Sequence, residues 1–213
     1  MHTTYSIRKP IDRDNIMTAS TPKSNHDAIA DNTLDASMPR HPESRLQPDW
    51  LFLYDKLPPD QWFSNDYVYK TSFWLSIHAD IRKRQHILTQ ISDAYHAGDI
   101  EWSEYRSQIS PRISQYILKL HQHHNIEDKG YFPQFIRMYP QLKAGFEILD
   151  RDHVRLDTLL NELQALNSKL VSSESEDKVL GSQLHQCLRE TSELLSQHLT
   201  DEEDLVIPIL GLN

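Results

Sequence analysis

Apolar residues in the second half of the chain recur at alternating steps of four and three. Leu142, Phe146, Leu149, His153, Leu156, Leu160 and Leu163 follow one another in this way, as do Leu184, Leu188, Thr191, Leu195, His198, Glu202 and Leu205. Such stepping keeps side chains on one stripe of an α-helix and is incompatible with the two-residue period of a strand. Shorter runs upstream carry the same rhythm: Trp74, His78 and Ile81, then Ile113, Tyr116, Leu120, His123 and Glu127. Four long helices are therefore predicted. The first runs from about Ser64, a candidate N-cap, to Ala97, and Gly98 stops it. The second region opens at Asp99 and lasts to about Tyr139, with Ser110-Pro111 as an N-cap and N1 pair that starts or restarts the helix. The third follows Pro140. The polar stretch Ser172 to Asp177 is a loop with features of a capping box. The fourth spans about Lys178 to Leu205, with Pro208 interrupting its end. Only five glycines occur, none before Gly98, which suits long helices because the turns of β proteins consume glycine. No alternating strand pattern of convincing length is present. The expected fold class is all-α, an up-down-up-down four-helix bundle.

Composition divides the chain into parts and excludes several classes of function. Residues 1–48 are rich in Ser, Thr, Asn, Asp and Pro without sustained apolar periodicity, and are expected to be a disordered or loosely packed extension. Residues 49–63 open with an abruptly apolar segment, Trp50 to Phe63, expected to pack as a lid, with a turn at Pro58-Pro59. Residues 64–213 form the expected bundle. With 38% hydrophobic and 25% charged residues and a net charge of −9, this is a soluble globular chain not built to grip nucleic acid or an anionic membrane. Its apolar runs fall far short of the roughly 20 residues that span a bilayer. No secretory signal is evident, and the single cysteine, Cys187, cannot form an intramolecular disulfide and reads as a small apolar residue. A cytoplasmic location is expected.

The chemistry is carried by a subset of the 12 histidines. His78, His123, His153 and His198 each occupy an inward step of a different helix, and Glu127 and Glu202 lie one turn after His123 and His198. His78 to His123 and His153 to His198 are equal intervals of 45 residues. The segment from His123 to Phe135 aligns without gaps to that from His198 to Leu210, matching Glu127 with Glu202, Asp128 with Glu203 and Pro133 with Pro208. A duplicated helix pair with a pseudo-twofold axis through a site is the simplest explanation. A carboxylate survives in an apolar core when it is paired, hydrogen-bonded or bound to metal. Four imidazoles and two carboxylates are too many donors for one tetrahedral zinc, and a dinuclear centre with bridging carboxylates fits them better. Any one of these histidines alone would more simply be a packing residue; their duplication and spacing set them apart. His2, His26, His41, His86, His96 and His185 are expected to be bystanders. Asp128 and Glu203 are either groups that orient a ligand or solvated helix-end charges. His121 and His124, beside the seam, are either outer groups of the site or exposed, and His124 with Asp128 is a rival i+4 pair to His123 with Glu127, which the internal alignment favours.

The strings HHNIEDKGYFP and HLTDEEDLVIP, with His78 on the first helix and Leu149 to His153 on the third, resemble the hemerythrin-like HHE cation-binding domain. The resemblance covers roughly Ser64 to Leu210. It implies a non-haem di-iron centre in a four-helix bundle, with zinc or manganese as other possible metals, and it implies binding of, or response to, O2, peroxide, nitric oxide or iron. Carried over by position, the metal ligands are His78, His123, Glu127, His153, His198 and Glu202, with Glu127 and Glu202 bridging. Two departures stand out. Oxygen-carrying members have a second histidine one turn after the third-helix ligand, where this chain has Asp157. Their last carboxylate commonly lies five residues after its histidine, at Glu203, whereas the internal duplication favours Glu202. Fewer nitrogen donors and more carboxylate, Asp157 included, would favour redox turnover over reversible O2 carriage. The alternative is a metal-stabilised interaction or regulatory module, holding iron or zinc, without redox chemistry. A ferritin-like oxidase is disfavoured because neither Glu127 nor Glu202 begins a Glu-x-x-His pair.

Overall fold

The computed structural model describes residues 44–213, and everything in residues 1–43 lies outside the described part. The described residues are all-helical: α1 is Val68–Ala97, α2 Trp102–Ile126, α3 Phe132–Met138, α4 Lys143–Ser172 and α5 Lys178–Leu212. α1 packs against α2 and α5, and α4 packs against α2 and α5. No helix among the described residues is long and apolar enough to cross a membrane.

Local chemistry explains most of the boundaries. α1 ends where Gly98 takes a left-handed conformation, φ 80°, and its N–H reaches the carbonyl of Tyr95. Glycine adopts that geometry without the steric penalty of a Cβ. α5 begins at Asp177, whose side chain accepts from the Leu180 N–H at 3.0 Å. The third residue of that helix is Leu180, so the cap has no reciprocal carboxylate and the expected capping box is not completed.

Three boundary expectations are corrected. Ser64 does not cap α1: residues 64–67 form turns, and the Ser64 carbonyl accepts from Val68. Ser110-Pro111 does not restart α2, which runs unbroken through Pro111. An interior proline costs roughly 3 kcal/mol, but the buried stripe Tyr105, Ile109, Ile113 and Tyr116 crosses that point. Each such side chain contributes about 1.5–3 kcal/mol by burial, so packing outweighs the missing hydrogen bond. Likewise Pro208 does not end α5. Every residue from Leu199 to Ile209 is buried, and a helix enclosed on all sides is held by its surroundings. The expected second region is divided, because a π-helical turn, Glu127–Tyr131, separates α2 from α3. It lengthens the step from inward Glu127 to inward Phe132 to five residues, which re-phases the buried stripe.

Two apolar clusters fill the interior. One includes Ile81, Leu120, Leu156 and Leu195; the other includes Trp74, Phe132, Leu149 and Leu205. α1 and α4 run from the second cluster to the first, and α2 and α5 run the opposite way. Between the two clusters each of these helices passes through one polar level, at His78, at His123 to Glu127, at His153, and at His198 to Glu202.

The segment before α1 closes the end of the second cluster. Pro48–Asp55 and Pro59–Gln61 are short 3-10 helices, and Leu46, Leu53, Leu57 and Trp62 are buried among the residues of that cluster. The Leu57 side chain approaches α5 so closely that a Cβ on Gly211 would fall 2.2 Å from it. Ser44 and Arg45, within the segment read as an extension, are tied to the helices: the Ser44 hydroxyl donates to Asp201 at 2.5 Å, and the Arg45 guanidinium pairs with Asp152.

Cys187 lies in the first cluster, where burial pushes its thiol up to about 11. Set against its ordinary value of 9.0, the native chain should react with iodoacetamide at pH 8 about 100-fold more slowly than the denatured chain. Equal rates in the two states would show the thiol to be accessible.

Candidate metal centre

The polar level between the two clusters gathers side chains from α1, α2, α4, α5 and the π-helical turn. His78, His198 and Glu202 are completely buried, and His123, His124, Glu127 and His153 nearly so. Helix phase accounts for the convergence, since each lies on or beside the stripe that faces the neighbouring helices.

Glu127 and Glu202 organise the level. The two oxygens of Glu127 lie 3.0 Å from His123 Nδ1 and 3.6 Å from His153 Nε2. Those of Glu202 lie 3.2 Å from His78 Nε2 and 3.4 Å from His198 Nε2. Each carboxylate thus spans one imidazole from the turn before it and one from another helix. Trp74 donates its indole N–H to Glu202 at 2.8 Å. Donor atoms of His78, His123, Glu127 and Glu202 fall within 4.8 Å of one another, and those of His124, His153 and His198 form a second such group.

A ring of outer carboxylates holds the far nitrogens of these imidazoles. His78 Nδ1 is 2.8 Å from Glu203, which accepts two hydrogen bonds from the Arg82 guanidinium at 2.6 and 3.1 Å. His153 Nδ1 is 2.7 Å from Asp128. His198 Nδ1 faces the completely buried Asp152 at 3.8 Å, and Asp152 carries Arg45. A carboxylate on one ring nitrogen fixes the tautomer and orients the other nitrogen toward the centre.

Electrostatics show what this donor set lacks. Burial, reinforced by the charge of Glu202 close by, pushes the Glu127 carboxyl well above the usual range. Burial likewise opposes charge on Glu202, but His78 and His198 beside it hold its carboxyl well below the usual range. For His78, burial acts downward, yet Glu202 and Glu203 together raise it to about 9. Burial pushes His123 down to about 3, and it holds His124 well below its ordinary value. Neutral imidazoles are the ligating form. Nε2 of His78 and of His123, both nitrogens of His124, both oxygens of Glu127 and one of Glu202 make no hydrogen bond. Buried donors and acceptors are normally satisfied. A divalent cation would satisfy these, so the residues present fit a metal.

All six residues singled out from the sequence meet at this level. Asp157 does not: its side chain is 53% exposed and lies 3.6 Å from the exposed His121. It points out of the helix packing, and it adds no anionic donor to the centre. Asp128 and Glu203 both sit on far ring nitrogens, as equivalents in the duplication should. His86 and His96 are exposed, while His185 is half-buried, 3.2 Å from the Ser92 hydroxyl and stacked on His96. His2, His26 and His41 lie outside the described residues.

Sequence reasoning left His124 open between an outer group and an exposed residue, and it gave Asp152, Arg45 and Arg82 no role. Only His124 carried a signal, as the second of two consecutive histidines. The other three act across elements, which no local pattern reports.

The family model of the hemerythrin HHE cation binding domain matches residues 70–210, which contain every residue of the inner cluster. No curated protein and no solved structure gives a match. On that match, and with buried His and Glu groups that could hold a cation, the chain belongs to the hemerythrin HHE cation-binding domain family.

Proposed function

We propose that the chain is a non-haem di-iron protein of the hemerythrin type that binds or responds to O2, peroxide or nitric oxide. In this proposal His78, His123, Glu127, His153, His198 and Glu202 hold the two ions, and α1, α2, α4 and α5 form an up-down-up-down bundle of two duplicated pairs. The observation that carries it is the pair of buried carboxylates, Glu127 and Glu202, each turning its two oxygens to imidazoles of different elements. A carboxylate so placed is disposed to bridge two cations. The alternating run of the helices between the apolar clusters supports the bundle. Iron bound there would supply redox chemistry and an open coordination position for a small ligand.

The chain's own residues supply the rest. Glu203 with Arg82, and Asp128, hold the far nitrogens of His78 and His153 and so orient their rings. Ile81, Leu120, Leu156 and Leu195 wall the level from one side and exclude water. A cavity of about 280 Å³ between α1 and α2, lined mainly by Phe73, Trp74, Ile77, Ile126 and Tyr131 with Lys119 and Gln122, reaches His123 and Glu127. Apolar walls suit entry of an uncharged diatomic molecule. We also infer a cytoplasmic setting, which keeps the single cysteine reduced.

Metal counting on anaerobically purified protein, followed by exposure to O2 and to nitric oxide, is the direct test. About two irons per chain are expected, with new visible absorption on exposure. Protein that binds no metal would sink the proposal. Tightly bound zinc with no optical response to either gas would favour the metal-stabilised module instead.

Two substitutions probe the supporting residues. Glu203→Gln keeps the shape but removes the charge on His78 Nδ1, and should weaken metal binding about 10- to 100-fold at unchanged helicity. Ile77→Trp fills the apolar cavity, and stopped-flow mixing should show slower reaction with O2 at unchanged metal content.

A further inference from the structure

His124 is the member of the inner cluster to which the six-residue set gives no task. It is only 3% exposed, and neither ring nitrogen has a hydrogen-bond partner. Its ring stacks on His153, with centroids 4.0 Å apart and planes 16° apart, and meets His198 edge-on at 5.7 Å. Stacking alone does not account for a histidine here. A phenylalanine would stack as well without burying two polar atoms that lose their water. Something must take at least one of those nitrogens.

The neighbours indicate what it is. One nitrogen from each of His124, His153 and His198 falls within 4.8 Å of the other two, in a group separate from His78, His123, Glu127 and Glu202. Consecutive residues on a helix are about 100° apart, so His123 and His124 straddle the inward stripe of α2 and face the two groups separately. α4, for its part, supplies only His153, because Asp157 points outward.

Resting on the di-metal reading above, we propose that His124 is a seventh metal ligand, completing a three-imidazole half-site with His153 and His198. The centre is then built of unequal halves. One offers two imidazoles and two carboxylates; the other offers three imidazoles and meets carboxylate only where Glu127 and Glu202 reach across. The three-imidazole half prefers borderline ions such as ferrous iron, cobalt or zinc. The carboxylate-rich half tolerates harder ions such as manganese.

His124→Phe keeps the stack and removes both nitrogens. The experiment is anaerobic titration of the metal-free full chain with Co2+, followed by visible absorption and calorimetry and repeated with the variant. The wild type should take up two equivalents with distinct spectra. The variant should bind one of them at least about tenfold more weakly, with that spectrum altered. Metal-free His124→Phe should melt no lower than metal-free wild type, since it loses two unsatisfied polar atoms, yet gain less from added Co2+. Unchanged affinity and spectrum for both equivalents would overturn the role of His124 and leave the six-residue centre standing. A wild type that binds no Co2+ would overturn both. If the variant does not fold, proton NMR of the Co2+-loaded wild type decides between five contact-shifted histidine ring N–H signals and the four that His78, His123, His153 and His198 would give alone.

Discussion

Two carboxylates placed side by side in an apolar interior set the terms for the rest of this structure. Glu127 and Glu202 lie where water cannot solvate them, and each raises the cost of charging the other. Imidazoles are their immediate partners. Glu127 is driven toward its neutral form, while His78 is held charged by Glu202 and Glu203. A cation entering the level would displace those protons and satisfy the ring nitrogens and oxygens that now make no hydrogen bond. A bound cation would thus complete the charge balance of this interior. The apolar clusters on either side strengthen its effect by excluding water.

Compensation extends outward in steps. Glu203, Asp128 and Asp152 face the far sides of His78, His153 and His198, and Arg82 and Arg45 in turn balance Glu203 and Asp152. Glu203 and Asp128 are more exposed than the histidines they face, and Arg82 and Arg45 more exposed than their carboxylates, whereas Asp152 is as completely buried as His198. Through Arg45 the segment ahead of α1 becomes part of this chain of contacts: a residue far from the helices in sequence neutralises the carboxylate that faces His198. Burial of Leu46, Leu53 and Leu57 holds that segment in place, so apolar packing and charge balance act at the same point.

How much of this was legible in the sequence depended on whether the cause was local. The alternating four-three steps located the buried faces, because helix periodicity is a property of neighbouring residues. Leu142, Phe146, Leu149, Leu156, Leu160 and Leu163 are all completely buried as that stepping requires. Equal intervals brought His78, His123, His153 and His198 to one level for the same reason. Pro111 and Pro208 misled because local propensity was opposed by packing from other elements. Asp157 misled because one turn after an inward residue is not necessarily inward. Its helix presents Leu156 and Leu160 to the core, which leaves position 157 facing out. His124 stayed open between an outer group and an exposed residue, because two positions astride the stripe can both turn in and spacing alone does not say whether they do.

The internal sequence alignment also sets two faces of the polar level side by side. Each residue of the first helix pair has a counterpart 75 positions later, as His78 has His153 and His123 has His198. Ile77 and Ile126, two walls of the cavity that reaches His123 and Glu127, then correspond to Asp152 and Asp201. Those two aspartates are the residues that hold Arg45 and Ser44. The cavity between α1 and α2 is mostly apolar, with Lys119 and Gln122 also on its wall. Its counterpart between α4 and α5 is acidic, and the segment ahead of α1 lies across it. Asp152 and Asp201 are buried and take Arg45 and Ser44 of that segment as partners, and Asp152 also has His198 of α5 and Arg155 of α4 beside it.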